Sequence, residues 1–524
     1  MQRAFIEPIL EAIPAARQED ARHYGVHPYF TRRPANVVRD YIKRYSEQED
    51  VVLDPFGGTG VTAIEAFLLG RCAIQNDLNP FANFIARNIA DTSLASTAPL
   101  RQAFERVEQS SFNGVHEIEK DESVARRWLK KLPLPENIRL PRSSDAEFFQ
   151  DMFTPRQLAG LALIKQAIER EHGVIHDLLL LAWSASVAKL NKTFLSAKGR
   201  AQSRGGSSIF SIYRYKLAAQ SVELPIWETF HGRFLNVLAA KEEVLQLRDY
   251  WQKKPGGALL LDSEKNFRAM AHDAATLDKV LKPGSVDYIF TDPPYGAFIS
   301  YLDLSILWNH WLGFPVTGET REQETIVGGE QDHTGEHYKK SLARGIKTSF
   351  RLLKPDRWLS IVFQHWDTSY FATILETAAE SGGQLKAAIT QTGDVIWSMH
   401  KKKNSASVLA GEMILTFYKP ANVRKPPKIL APAAADPAAI LSEVFDACLA
   451  NGAASFTSEA LFNRLVIELW RRRALSCLNL NREEFARQLE QRGWSYSTRN
   501  HTWAKARYPK KVFAEMMLFD REDD

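Results

Sequence analysis

The stretch that most restricts what this chain can fold into is VVLDPFGGTGVTAIEAFLLGR, residues 51–71. An apolar run ends in an acid, passes through a glycine turn, and continues as a segment whose apolar residues recur at helical spacing. RCAIQNDLNP follows as a second strand, GSVDYIFTDPPYG is another apolar strand closed by a proline-stiffened turn, and RLLKPDRWLSIVFQHW gives a helix end, a turn and a further buried strand. Strands alternating with helices predict an α/β fold with a doubly wound, mainly parallel sheet.

The 524 residues exceed one ordinary compact domain. Roughly 200 residues separate the second strand from DPPYG, more than one crossover needs. We therefore expect residues 1–95 to form an N-terminal segment and the first half of the sheet domain, and 265–420 its second half. Residues 96–264 are expected as a large, mainly helical insertion, with FTPRQLAGLALIKQAIEREHG and VIHDLLLLAWSASVAKL as helices. The alanine- and proline-rich stretch around 421–440 reads as a linker, and 441–524 as a small helical, winged or unwinged, domain.

Composition excludes several classes. With 45% hydrophobic and 25% charged residues the chain is neither disordered nor fibrous, and no apolar run reaches the length of a membrane span. The N-terminus lacks the features of a secretory signal, so a cytoplasmic location is expected. Cys72, Cys448 and Cys477 are far apart and outside any Cys/His cluster, so neither a disulfide framework nor a metal site is expected. A net charge of +5 permits nucleic-acid binding without requiring it.

In DPFGGTG, Gly58 and Gly60 let backbone N–H groups approach a ligand at the start of a helix. The spacing matches neither GxGxxG nor the phosphate loop, because no Lys follows the last glycine. A nucleoside ligand with one carboxylate, such as S-adenosylmethionine, fits better than a nucleotide phosphate. Asp77, at the end of the next strand, is placed to accept from ribose hydroxyls. Alone, each of these residues is ordinary turn chemistry; their joint spacing makes them a candidate site.

In TDPPYG, two prolines stiffen the turn and keep the carbonyls of Pro293 and Pro294 out of a regular ladder. Beside them stand a carboxylate, Asp292, and an aromatic ring, Tyr295. The acid and a carbonyl suit the two N–H bonds of an amino group while the ring stacks on a base. Direct transfer to such an amine rests on positioning and electrostatics, with no covalent intermediate.

DPFGGTG followed by TDPPYG resembles the amino-methyltransferases of DNA, which modify adenine N6 or cytosine N4. HPYFTRRPANVVRDYI is similar to the family's segment that closes over the methionine end of the cofactor, and DPPYGAFISYLDLSILWNHWLG resembles a bacterial subgroup. Together the resemblance spans residues 20–95 and 265–420, and it implies a Rossmann-like methyltransferase fold binding S-adenosyl-L-methionine. It also implies that Tyr29, Phe30, Asp54, Phe56, Gly58 and Gly60 surround the cofactor, that Asp77 binds its ribose, and that Asp273 meets its adenine amino group. Asp292, Pro293, Pro294 and Tyr295 would hold the target base, with adenine favoured by the leading Asp. Cytosine C5 chemistry fits poorly, since it needs a nucleophilic thiol and no cysteine follows a proline.

A base inside a duplex must be flipped out to be reached. Double-stranded DNA is thus the expected partner, alongside partner subunits of a restriction-modification or phage-defence complex. Within the insertion, Lys189, Lys192, Lys198, Arg200, Arg204, Arg214 and Lys216 alternate with Phe194, Phe210, Tyr213 and Tyr215, a mixture suited to phosphate anchoring and stacking or to a solvated loop over core aromatics. Lys401 and Lys402, in SMHKKKNSASVLAG, form a second basic tract. The C-terminal piece reads equally as a DNA-binding module or as a docked helical cap. Two other functions stay open here: an RNA guanine-N2 methyltransferase, and a non-catalytic DNA-binding subunit.

Overall fold

Seven strands form one sheet: β1 (Val51–Asp54), β2 (Cys72–Asn76), β3 (Phe267–Met270), β4 (Val286–Thr291), β5 (Leu353–Phe363), β6 (Gln384–Gln391) and β7 (Glu412–Lys419). The computed structural model describes residues 5–16, 22–195, 206–218, 222–254, 257, 260–296, 299–391, 411–422, 437–450, 455–478, 480–498 and 500–505. The strand order is β3-β2-β1-β4-β5-β7-β6, with β7 antiparallel to both its neighbours and the other pairings parallel. This mainly parallel sheet, covered by helices, is a doubly wound, Rossmann-like α/β fold.

Every residue of β4 is buried, as a central parallel strand covered on both faces requires. In register, Val52 of β1 lies opposite Ala73 of β2 on one side and Tyr288 of β4 on the other. The chain runs outward from β1 to β2 and β3, then crosses back to β4. The loops after β1 and β4 therefore diverge from adjacent strand ends, where open α/β sheets hold their ligands.

One face of the sheet carries α1 (Ala35–Tyr45), α2 (Val61–Leu68) and α3 (Pro80–Ala90) together with the inserted helices. Those are α4 (Ala98–Lys120), α5 (Glu122–Leu129), α6 (Pro155–Ile168), α7 (Gly173–Val187) and α8 (Ile226–Gln252). Local sequence fixes their starts: Thr154 and Gln157 cap α6 reciprocally, with Pro155 in the first turn. The insertion does not stand apart as a lobe. Phe81 of α3 stacks on Trp308 at 5.0 Å, and the Trp308 indole N–H donates to the carbonyl of Ser184 in α7 at 3.0 Å. Burying Phe81 alone contributes roughly 1.5–3 kcal/mol, so the insertion and the sheet share one core.

The other face is covered by α9 (Gly335–Leu352), α10 (Thr368–Glu380) and the C-terminal module. That module has α11 (Pro437–Leu449), α12 (Ser458–Arg471), α13 (Arg482–Gln491) and a small antiparallel sheet of β8 (Ser455–Phe456), β9 (Trp494–Ser497) and β10 (Thr502–Lys505). Three helices and a terminal hairpin give it a winged arrangement. It is docked against the sheet domain: Trp366 packs on Phe462 at 4.9 Å and Phe485 at 5.4 Å, and the Thr368 hydroxyl donates to the carbonyl of Leu478. Among the described residues no helix is long and apolar enough to cross a membrane.

Candidate active site

The glycine turn after β1 is shaped by its neighbours. Gly60 adopts φ +86°, and a Cβ there would sit 2.6 Å from Cβ of Ala86. A Cβ on Gly57 would lie 2.1 Å from Oε1 of Gln75, so the side chain of the penultimate residue of β2 dictates a second glycine. The Gln75 amide also donates to the Gly58 carbonyl at 2.8 Å, and Asn76 donates to the carbonyls of Pro55 and His272, both at 3.0 Å. Gln75 and Asn76, which motif reading passed over, thus brace the loops after β1 and β3.

Asp54 ends β1 and is buried. Its Oδ1 accepts from the Thr291 hydroxyl at 2.7 Å and from the Phe56 N–H at 3.1 Å. Burial pushes its carboxyl up to about 7, although bonds from Thr291, Thr62 and Phe56 pull the other way. Asp77 accepts from the N–H groups of Gly58 and Asn79, both at 2.8 Å, and burial lifts it to about 6. Tyr29 lies against Gly58 and accepts a hydrogen bond from Asn79.

These groups line a cleft of about 930 Å³, counted to its opening on solvent. Asp54, Phe56, Gly58, Asp77, Tyr29 and Asp273 stand on its walls, and Asp292 and Pro294 complete them. The two motifs, far apart in the chain, therefore share one cavity. Asp273 caps the turn after β3 by accepting from the Ala275 N–H at 2.9 Å. Gly60 is set behind the wall as the cap of α2, Pro293 is buried, and Tyr295 lies beside Asp292 with its ring edge-on to Phe363 at 5.3 Å. The Pro294 carbonyl accepts from the Tyr338 hydroxyl at 2.5 Å.

Phe30 requires a correction: it is buried between Phe210, Tyr301 and Trp308 and belongs to the core instead of the cleft wall. Of the insertion's four aromatics, two take the core alternative, while Phe210 and Tyr213 are half-buried. Tyr215 is buried, donating to the Leu304 carbonyl at 2.7 Å and accepting from the Leu307 N–H at 3.1 Å, and Phe194 is buried too. Lys216 and Arg214 are exposed, the latter paired with Asp145 at 2.8 Å, and Lys192 is half-buried. Lys198, Arg200, Arg204, Lys401 and Lys402 lie outside the described residues.

Three further groups, Arg33, Glu412 and Glu324, are given no role by the motifs. Arg33 donates from Nε to Asp292 Oδ2 at 2.5 Å and from its terminal nitrogens to the Tyr295 hydroxyl and to Glu412. Tyr295 in turn donates to Asp292 Oδ1 at 2.5 Å. Glu324, on the cleft wall, is buried and accepts from the Leu302 N–H at 3.0 Å; burial lifts its carboxyl to about 8.

The sequence spanning the N-terminal segment, β1, the glycine turn and β2 has known counterparts. Residues 10–87 match the DNA methylase family of N6 and N4 amino-methyltransferases. Over 72 residues the chain is also 32% identical to the type II methyltransferase M.MjaII of Methanocaldococcus jannaschii. That match covers 14% of this chain, and the chain spans 14% of the length of that curated relative. Among solved structures, TTHA0409 of Thermus thermophilus, described as a DNA modification methylase, has been determined free and with S-adenosyl-L-methionine. The free form is 17% identical, covering 42% of this chain and 93% of that one, with a TM-score of 0.17. The complex is 18% identical, covering 41% and 93%, with a TM-score of 0.16.

Proposed function

We propose that this chain is an S-adenosylmethionine-dependent methyltransferase acting on the exocyclic amino group of a flipped base in double-stranded DNA, adenine N6 ahead of cytosine N4. The observation that carries the reading is the shared cleft, in which the glycine turn and Asp77 face Asp292 and Pro294.

The cleft fits the cofactor's chemistry. Asp54, Asp77, Asp273, Asp292 and Glu324 line it against two arginines, Arg32 and Arg33, an excess of carboxyls that favours a ligand with cationic sulfonium and ammonium groups over a run of phosphates. Asp77 would take the ribose hydroxyls and Asp273 the adenine amine, with Tyr29 and Phe56 as apolar walls. When bound, S-adenosylmethionine supplies an electrophilic methyl group. Asp292 and the Pro294 carbonyl orient the amine by accepting its hydrogens, and the Tyr295 ring holds the base. The nitrogen sheds a proton as it gains the methyl, and the Asp292 carboxylate is the acceptor this wall offers. Exposed Arg214 and Lys216 supply phosphate contacts on the insertion, in the setting of a restriction or phage-defence system.

The test is transfer of labelled methyl to DNA by the purified chain, followed by digestion and mass spectrometry to separate N6-methyladenine from N4-methylcytosine. Asp292→Ala should abolish transfer while calorimetry shows the cofactor still bound. Transfer that survives in Asp292→Ala would refute the assignment.

A further inference from the structure

Two of the groups that the methyltransferase reading assigns to the target base, the Asp292 carboxylate and Tyr295, are already engaged by Arg33. Its Nε–H meets the Asp292 carboxylate, a terminal N–H meets the Tyr295 hydroxyl, and its guanidinium carbon lies 5.8 Å from the centroid of the Tyr295 ring. A planar group with N–H donors, held on a carboxylate beside an aromatic ring, has the shape and polarity of an aminated base edge. We propose that Arg33 occupies the seat of the target amine and is displaced by it, remaining tied to Glu412. The proposal rests on the reading above and adds the residue that guards its substrate position.

Arg33 stands on the wall of the open cleft, the side on which its side chain can move, and it also borders a small second void of about 10 Å³, one water's worth, which Glu412, Val37, Phe290, Val362 and Ile414 help to line. Arg33 thus borders both spaces. Withdrawing it from Asp292 towards Glu412 keeps one of its two carboxylate partners and opens the seat. Its side chain and those of Asp292 and Glu412 are 14%, 23% and 18% exposed, so the ion pairs are only lightly screened.

The consequence is discrimination. A charge-assisted hydrogen bond is stronger than one from a neutral amine, so an isolated nucleoside cannot win Asp292 from Arg33. Binding energy from the rest of a DNA duplex can be spent on the exchange. Free nucleosides are thereby kept out of a cleft whose own chemistry would accept them.

The experiment is calorimetric titration of the full chain and its Arg33→Ala and Arg33→Gln variants with 2′-deoxyadenosine, 2′-deoxycytidine and thymidine. The two nucleosides with an exocyclic amine should bind the variants about tenfold more tightly than the parent, the worth of roughly one charge-assisted hydrogen bond. Thymidine should gain nothing, and added guanidinium ion at millimolar level should reverse the gain in Arg33→Ala. Equal or weaker binding in the variants overturns the proposal and makes Arg33 a positioning residue for Asp292. An equal gain for thymidine overturns it as well. If Arg33→Ala does not fold, Arg33→Lys, whose single ammonium cannot span three partners, should show a smaller gain of the same sign. S-adenosylmethionine binding and DNA methylation by the parent chain, measured separately, test the methyltransferase reading on its own.

Discussion

The hydroxyl of Thr291 donates to Oδ1 of Asp54 at 2.7 Å, joining the last residue of β4 to the last residue of β1 across 237 positions of sequence. Both are buried. This bond fixes the level at which the glycine turn and the DPPY turn leave the sheet. Thr291→Val keeps the shape but strips Asp54 of a donor. The variant should lose about 1–3 kcal/mol of stability in denaturant titration and bind cofactor more weakly, because the two cleft walls are no longer set in register.

Acidity in the cleft gives stability and affinity opposite pH dependences. Asp54 and Asp77 rise to about 7 and about 6 when folded, from near 3.9 in an unfolded chain. Between those limits the folded protein binds more protons than the unfolded one. Their contribution to stability is therefore complete below pH ~4 and lost as pH rises through the folded values. Cofactor affinity runs the other way, since a sulfonium and an ammonium prefer ionised carboxylates. Melting of the free protein and calorimetric affinity, followed from pH ~4 to ~8, should cross in sense, and Asp77→Asn should remove the lower part of both trends.

Gly57→Ala tests whether Gln75 dictates the turn. A Cβ at 2.1 Å from the Gln75 amide must push it aside, disturbing its bond to the Gly58 carbonyl. Cofactor binding should fall, and the double change Gly57→Ala with Gln75→Ala should recover part of the loss, a coupling that a double-mutant cycle measures. Gly60→Ala has no such remedy, because both its left-handed backbone and Ala86 oppose it; about 1–3 kcal/mol of stability should be lost.

Tyr215→Phe separates a core aromatic from a stacking platform. The hydroxyl serves the Leu304 carbonyl and the Leu307 N–H, so its removal leaves two buried backbone groups unpaired. The expected outcome is a loss of about 1–3 kcal/mol in stability with unchanged affinity for DNA in a binding assay. A weaker DNA complex at unchanged stability would return the residue to the nucleic-acid surface.

The sheet was legible from the sequence because β1, β2, β4 and β5 each announce themselves by an apolar run with a turn at its end, and the fold then obliges the turns after β1 and β4 to meet. Depth was not legible in irregular segments. Phe30, Phe194 and Tyr215 sit in stretches without helical or strand period, so nothing in their spacing separates a core ring from an exposed one. Arg33 escaped for a different reason. Its partners Asp292 and Glu412 are 259 and 379 residues away, and an arginine in a TRRPA run has no pattern that names them. Glu324 is a carboxyl in a polar loop, and only burial against Leu302 marks it out.

The position of the insertion has a consequence for how the chain is made. β1 emerges from the ribosome well over two hundred residues before β4, the neighbour that completes its pairing. At about 5–20 residues per second that interval is roughly 10–50 s. Throughout it one side of β1 has no strand beside it, and the helices of the insertion are what the newborn first half has available to cover its apolar surface. The wall that carries the DPPY turn is thereby the last part of the cleft to be synthesised, after the whole of the insertion.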